Sequence, residues 1–237
     1  MALSDSSSEE KIAPQYDPPP IGISATPEDV LQLLKAINDN ELSVTNEQAA
    51  RLAHYCCLLW DWNSRLNLTR HTDWDLFVTR DLLDTIELSR HIPQGSTVMD
   101  VGSGGGVPGI VLGILRSDLK IALCESIGKK AVALQAIVKA MRLPIVVHAD
   151  RAETILKKHR FQVITVRAVG SIGKLLTWFE PVWKSVGQLL LIKGPRWTEE
   201  LEDVESAGLL KRLKLEQISE WSTPGRDGQS VLLQIKK

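Results

Sequence analysis

Apolar and polar positions divide the chain into two textures. Up to about residue 92 the repeat is helical. Thr26-Pro27-Glu28-Asp29 offers a helix N-cap with proline at the first helical position. Thr45-Asn46-Glu47-Gln48 fits a capping box. Behind it Ala49, Leu52, Ala53, Cys56, Leu59 and Trp60 recur at the spacing of one apolar helix face, which makes Cys56 a core residue rather than a nucleophile. A third helix is predicted from Trp74 to His91, with Leu76, Leu83 and Ile86 inward and Arg80 and Asp84 one turn apart. From Thr97 onward short apolar runs alternate with helical spans. Strands are predicted at 97–101, 120–125, 145–148, 162–167 and 187–193, and helices at 108–116, 128–141, 151–158, 171–184 and 198–207. Strands near 213–221 and 230–236 close the sheet. Such alternation with short connections predicts a doubly wound α/β sheet, mostly parallel with an antiparallel last strand, preceded by a helical extension.

Residues 1–25 are rich in Ser, Glu and Pro and read as a disordered tail. The organisation expected is therefore tail 1–25, helical extension 26–92 and sheet domain 93–237. Composition narrows the class little. The 237 residues are 43% hydrophobic, enough for a sizeable core, and carry 28 basic against 29 acidic side chains, a net charge of −1. A nucleic-acid partner thus requires a local basic patch. No apolar run approaches the roughly 18 residues of a membrane span, and the opening MALSDSSSEEK has no secretory pattern. Three cysteines and five histidines show no metal-ligand spacing, so a cytoplasmic protein without a metal is expected.

The candidate chemistry gathers where predicted strands end, which is where ligands sit in such sheets. Thr97 to Gly109 reads TVMDVGSGGGVPG, with five glycines in the eight residues from Gly102. A glycine turn lets backbone lie against a ligand, and the following helix aims its free N–H groups at it. The stretch satisfies G-x-G-x-x-G, with Glu125 about 20 residues on, which is a dinucleotide fingerprint. Asp100, two residues before Gly102, favours S-adenosylmethionine (SAM) instead: a carboxylate there suits the ammonium of a methionine moiety, and SAM has no pyrophosphate. Glu125 suits both ribose hydroxyls. After the third strand, Asp150-Arg151-Ala152-Glu153 falls where a backbone amide and a carboxylate could read adenine, although Glu153 equally suits the dipole of a first helical turn. Replacing Gly102 by Val or Asp100 by Ala is expected to remove cofactor binding and leave the fold intact.

Arg167-Ala168-Val169 follows the fourth strand. Arginine is too basic to act as a general base, so Arg167 either holds substrate phosphate or base, or pairs with a neighbouring acid. Lys193-Gly194-Pro195-Arg196-Trp197 follows the fifth strand and sets two cations beside an aromatic. With Arg65, Arg70, Arg80, Lys129 and Lys130 these form a candidate phosphate-binding surface. Trp62 and Trp74 read as packing residues.

Trp60-Asp61-Trp62-Asn63, Asn67-Leu68-Thr69 and the RDLLDT of Arg80–Thr85 resemble the W-N-x3-N-L-T … R-H-x-L-D-S signature of the bacterial 16S ribosomal RNA guanine-N7 methyltransferases (RsmG, formerly GidB). DVGSGGGVPGI, CESIGKKAVALQ, VRAVGSIGKLL and LLLIKG resemble that family's cofactor loop and its second, fourth and fifth strand motifs, so the resemblance covers about residues 30–210. It implies a class I SAM-dependent, Rossmann-like methyltransferase fold, 16S rRNA of the small subunit as substrate, SAM as cofactor, and a monomer. By motif it implies cofactor contacts at Gly102, Val107, Ala152, Glu153 and Arg167, with Asp100, Ser103, Gly104 and Glu125 joining them from the SAM reading above. Arg80, Lys129, Lys193 and Arg196 are the RNA-binding candidates. Three positions depart from the family: Asp81 replaces its His, Thr85 its Ser, and Val107 a bulkier Phe or Leu. An anion at Asp81 would repel phosphate.

Guanine N7 presents a free in-plane lone pair, so its methylation needs proximity and in-line geometry rather than proton removal. That accounts for the lack of a His–Asp or Cys–His pair and leaves Arg167 and Asp84 as positioning candidates. Three other readings stay open: a class I methyltransferase of a small molecule or protein, which predicts a closed pocket; an NAD-dependent oxidoreductase; and an RNA-binding module without catalysis.

Overall fold

The computed structural model describes residues 23–210, 212–225 and 227–237. Of the tail expected at 1–25, all but Ile23, Ser24 and Ala25 lie outside the described residues. Seven strands form one sheet: β1 (Thr97–Val101), β2 (Lys120–Cys124), β3 (Val146–His148), β4 (Phe161–Arg167), β5 (Val186–Lys193), β6 (Lys214–Ser222) and β7 (Gln229–Lys236), in the order β3-β2-β1-β4-β5-β7-β6. β1 to β5 run parallel, and β7 is antiparallel to both β5 and β6. Every strand expectation is met to within a residue or so. Parallel strands covered on both faces read as continuous apolar runs, which makes them easy to locate.

Successive residues of a strand point to opposite faces, and the core follows. Val98, Leu123 and Leu190 belong to one apolar cluster, Met99, Cys124 and Leu191 to the other. The second face is covered by α7 (Ala152–Leu156), α8 (Ile172–Phe179) with a 3-10 continuation at Glu180–Ser185, and α9 (Trp197–Ser206). The first is covered by α5 (Gly109–Leu115) and α6 (Gly128–Ala140) together with the amino-terminal helices α1 (Pro27–Asp39) and α2 (Asn46–Asn63). Capping boxes at Thr26/Asp29 and Thr45/Gln48 start α1 and α2. Leu33, Leu52, Cys56 and Leu59 share one cluster with Ile110, Leu134 and Val163. The helical extension is thus packed into the core of the sheet.

The predicted helix 74–91 is present with a difference. α3 (Trp74–Leu76) runs into a π-helical segment, Phe77–Leu82, and then α4 (Leu83–Ser89). The wider turn shifts the phase of the helix. Phe77, Val78, Leu82 and Leu88 are fully buried, whereas Leu76, Leu83 and Ile86, expected inward, are only half-buried. Asp81, Asp84 and Thr85 enter the interior with the new phase.

Candidate active site

The site lies between β1 and β4, where the strand order reverses and where open α/β sheets bind ligands. Asp100 and Thr165 are register partners across that junction. Asp100 is 1% exposed; its Oδ1 accepts from Thr165 Oγ1 (3.0 Å) and its Oδ2 from the Gly109 amide that opens α5 (3.2 Å). Burial pushes its carboxyl up to about 6 against those hydrogen bonds. Asp100 thus braces β1, β4 and α5 from inside, with one hydrogen bond accepted at each carboxylate oxygen. Ser103 also faces inward. Its hydroxyl donates to Asp100 O (2.9 Å) and accepts from Cys124 N (3.3 Å).

The glycines are needed chiefly for these packing contacts. Gly102 has φ +70°, and a Cβ there would stand 2.4 Å from Val169 Cγ2; at Gly109 it would meet Leu123 Cδ2 at 2.2 Å. Gly102→Val therefore disturbs the fold as well as the loop, and Asp100→Ala removes a brace, so neither change isolates binding as expected. Gly104 differs. At φ +55° its Cβ direction meets only backbone oxygens, at 3.8 Å and beyond, so a side chain there would find ordinary contacts rather than a clash. Its amide donates to Glu125 Oε2 (3.0 Å), while Glu125 Oε1 accepts from Ile127 N (2.8 Å). Val107, joined to Pro108 by a cis peptide, is half-buried against the first cluster. Ala152 and Glu153 open α7, whose first turn closes with Thr154 N donating to Arg151 O (3.0 Å).

A cleft of about 1250 Å³ opens beside the loop, over the ends of β4 and β5. The Asn67-Leu68-Thr69 segment, Arg80 and Asp84, Arg167 and Ala168, and the Lys193–Arg196 turn line it. Arg167 lies at its floor. Nη2 donates to Asp81 Oδ1 (2.6 Å), and Nη1 to Asp84 Oδ2 (3.3 Å) and to Arg80 O (3.0 Å). The carbonyl that accepts this last bond belongs to the π segment, a feature often found at functional sites. Burial opposes the charge on Arg167, but Asp81 and Asp84 outweigh it and hold the guanidinium above its usual range. Burial pushes the Asp84 carboxyl up, partly offset by Arg167 and by Trp221 Nε1, which donates to Oδ1 (3.0 Å). Asp81 is 1% exposed and also pairs with His71 Nδ1 (2.9 Å). It does not face incoming phosphate, which removes the conflict raised by its departure from the family.

Of the cations expected to hold RNA, Arg70, Arg80 and Arg196 line the cleft. Lys193 lines it but is engaged: Nζ donates to Glu200 Oε2 and Gly170 O, both at 2.7 Å. Lys129 is exposed at the start of α6 and is not among the lining residues. Arg65 pairs with Asp61 and lies over Trp62. Trp197, expected at the rim, packs against the second cluster. Trp74 packs edge-on against Trp60, ring centroids 4.6 Å apart.

Several site residues escaped the sequence reading. Tyr55, fully buried on α2, donates its hydroxyl to Gly105 O (3.0 Å). Asn63 Oδ1 accepts from both Leu68 N (2.8 Å) and Thr69 N (2.9 Å), shaping the wall of the cleft. Trp221, Thr223 and Ser230 come from the β6–β7 hairpin. Asn63 stood within the quoted motif; nothing local marked the others.

The fold is similar to those of solved proteins: the bifunctional kinase-methyltransferase WbdD (TM-score 0.52, 16% identity, 75% of this chain and 46% of that chain) and the fibrillarin/Nop5p complex (TM-score 0.51, 14% identity, 67% and 82%). At such identities the likeness shows the fold alone. Sequence relatives go further. Ribosomal RNA small subunit methyltransferase G of Rhodopirellula baltica is 48% identical over 168 residues, 71% of this chain and 73% of that protein. Its counterpart in Chromobacterium violaceum is 32% identical over 205 residues, 86% and 96%. The family model for GidB, rRNA small subunit methyltransferase G, matches residues 48–228. With that match over most of its length, the chain belongs to the GidB family of rRNA small subunit methyltransferases.

Proposed function

We propose that the chain transfers the methyl group of SAM to N7 of a guanine in 16S rRNA of the small ribosomal subunit. The observation that carries this reading is the junction of two half-sites at Arg167–Val169: Val169 packs on the glycine loop, while Arg167 and Ala168 line the cleft. The residues present fit SAM. Gly104 has no clash along its Cβ direction, so backbone there can lie against a ligand, and Glu125 uses one acceptor site per oxygen, leaving lone pairs for ribose hydroxyls. The first amides of α7, at Ala152 and Glu153, precede its first internal bond and suit the adenine edge.

When bound, SAM supplies an electrophilic methyl on a sulfonium. The chain's residues hold the acceptor. N7 needs no deprotonation, so the task is orientation and exclusion of water. Arg167, locked by three partners, and Asp84, oriented by Arg167 and Trp221, position groups at the cleft floor. Asp84 eases the positive charge that grows on the base.

A small-molecule or protein substrate predicts a closed pocket. The cleft is instead larger than the 300–1,000 Å³ usual for small ligands and lined by three cations with no ion-pair partner among the described residues. No helix of the described residues is long and apolar enough to cross a membrane, and no group of three or more metal-ligating side chains occurs among them. A monomer in the cytoplasm completes the reading. Incubation with tritiated SAM and either small subunits or naked rRNA, followed by mapping of the label, tests it. Label at a guanine N7 is expected; transfer to neither RNA, with transfer to a small molecule, overturns it.

A further inference from the structure

Arg80 is placed at odds with its own chemistry. Its Nη1 is shut off from solvent and has no acceptor among the described residues, and Nη2 reaches Gly225 O only at 3.5 Å. A buried donor without an acceptor is costly, more so on a charged group. The other cations near the floor are satisfied: Arg167 holds Asp81 and Asp84, and Lys193 holds Glu200. Arg80 nevertheless lines the cleft, as do Arg196 and Arg70. Its resting contact is with the β6–β7 turn, which itself leans on the opposite lip: a Cβ at Gly228 would stand 2.4 Å from Pro195 Cγ.

We infer that Arg80 is a parked phosphate ligand, which swings off the β6–β7 turn into the cleft to take a phosphate oxyanion, with Arg196 supplying charge from the Lys193–Arg196 turn. Leaving the resting position sacrifices one long hydrogen bond and relieves an unpaired N–H. The planar guanidinium then gives two parallel donors to a phosphate, a geometry that lysine cannot reproduce. The backbone carbonyl of Arg80 stays on Arg167 throughout, so the floor does not move with the side chain. The inference rests on the reading that RNA enters this cleft, and the phosphate is then one of the RNA backbone.

The test uses the full chain and its Arg80→Gln, Arg80→Lys and Arg196→Gln variants, with melting temperature and SAM affinity as checks of folding. Inorganic phosphate is titrated while the arginine side-chain N–H signals are followed by NMR. Separately, kcat/KM on small subunits is measured against salt. The wild type is expected to show an arginine N–H shift on phosphate that Arg80→Gln lacks. The slope of log(kcat/KM) on log salt is expected to fall by about one in Arg80→Gln, with Arg80→Lys keeping the slope at lower kcat/KM. Equal phosphate titrations and equal slopes in wild type and Arg80→Gln overturn the inference. Should Arg80→Gln not fold, the wild-type titration decides: an Arg80 signal that moves with phosphate supports the parked ligand, and one that does not overturns it. Phosphate binding at Arg80 in a protein that methylates no RNA would sink the proposed function and leave the anion site standing; RNA methylation indifferent to Arg80 would do the reverse.

Discussion

Gly102 is where fold and cofactor loop are hardest to separate. Its backbone sits at φ +70°, and an added Cβ would lie 2.4 Å from Val169 Cγ2 and 3.3 Å from Cγ1. The left-handed backbone costs an alanine about 1–2 kcal/mol, and overpacking adds about 1–3 kcal/mol. Gly102→Ala is therefore expected to lose roughly 2–5 kcal/mol, a large share of the 5–15 kcal/mol by which domains are stable. Val169→Ala deletes both overlapping methyls. In the double variant the overpacking is relieved and only the backbone strain remains, which gives a coupling of about 1–3 kcal/mol. Equilibrium urea unfolding of the four proteins measures the cycle. Calorimetric SAM titration, run where each is folded, then separates binding from stability. A Gly102→Ala protein within about 0.5 kcal/mol of wild type, or a cycle that closes without coupling, would refute the packing account.

Asn63→Ala frees the Leu68 and Thr69 amides and is expected to cost about 1–3 kcal/mol and to raise KM for the small subunit more than it lowers kcat; steady-state kinetics with an unchanged KM would count against it. Asp100 holds its proton more tightly folded than unfolded, with a pKa of about 6 against 3.8, so its contribution is fully present below about pH 4 and lost as pH rises to about 6. That loss amounts to roughly 3 kcal/mol, and the difference between wild-type and Asp100→Asn unfolding free energies should change by about that much between pH 4 and pH 7; a constant difference would show that Asp100 is not the group titrating. Ala168 has φ +57° at the lip of the cleft. Ala168→Gly relieves about 1–2 kcal/mol of left-handed strain and returns about 0.4–1 kcal/mol of it as unfolded-chain entropy, so the melting temperature should hold or rise; a clear fall would mean that its methyl packs usefully.

The sheet was legible because its signals are local. Parallel strands buried on both faces are apolar runs, and the glycine turn announces itself in a few residues. The amino-terminal helices were legible through their caps. The inward face of helix 74–91 was misread because nothing near Arg80 signals a π turn; its carbonyl accepts from Arg167, 87 residues away. The pairing of Lys193 with Glu200 spans only seven residues, yet it depends on how the β5–α9 turn folds back over Gly170. Tyr55 looked like one more residue of an apolar helix, and its reach to Gly105 is a product of docking. Glycines required by packing and glycines with room for a side chain look alike in a string; a Cβ would fit at Gly104, whereas at Gly102 and Gly109 it would meet Val169 and Leu123.

On the proposed function, the charges of the cleft would sort its ligand. Arg167 is one cation between two buried carboxylates, so floor residues Asp81, Arg167 and Asp84 carry an excess negative charge whenever both carboxylates are ionised and His71 is neutral. Around them Arg70, Arg80 and Arg196 have no ion-pair partner among the described residues. A polyanion is attracted to that rim and repelled from the floor, whereas a purine that gains positive charge as it is methylated is favoured at the floor. A chain with net charge −1 can therefore engage RNA without general basicity. The family's His at position 81 would leave Arg167 facing one carboxylate; Asp81 adds the second and recruits His71 to its other side. The departure that seemed to oppose RNA binding thus places its charge where the base, not the backbone, is expected to lie.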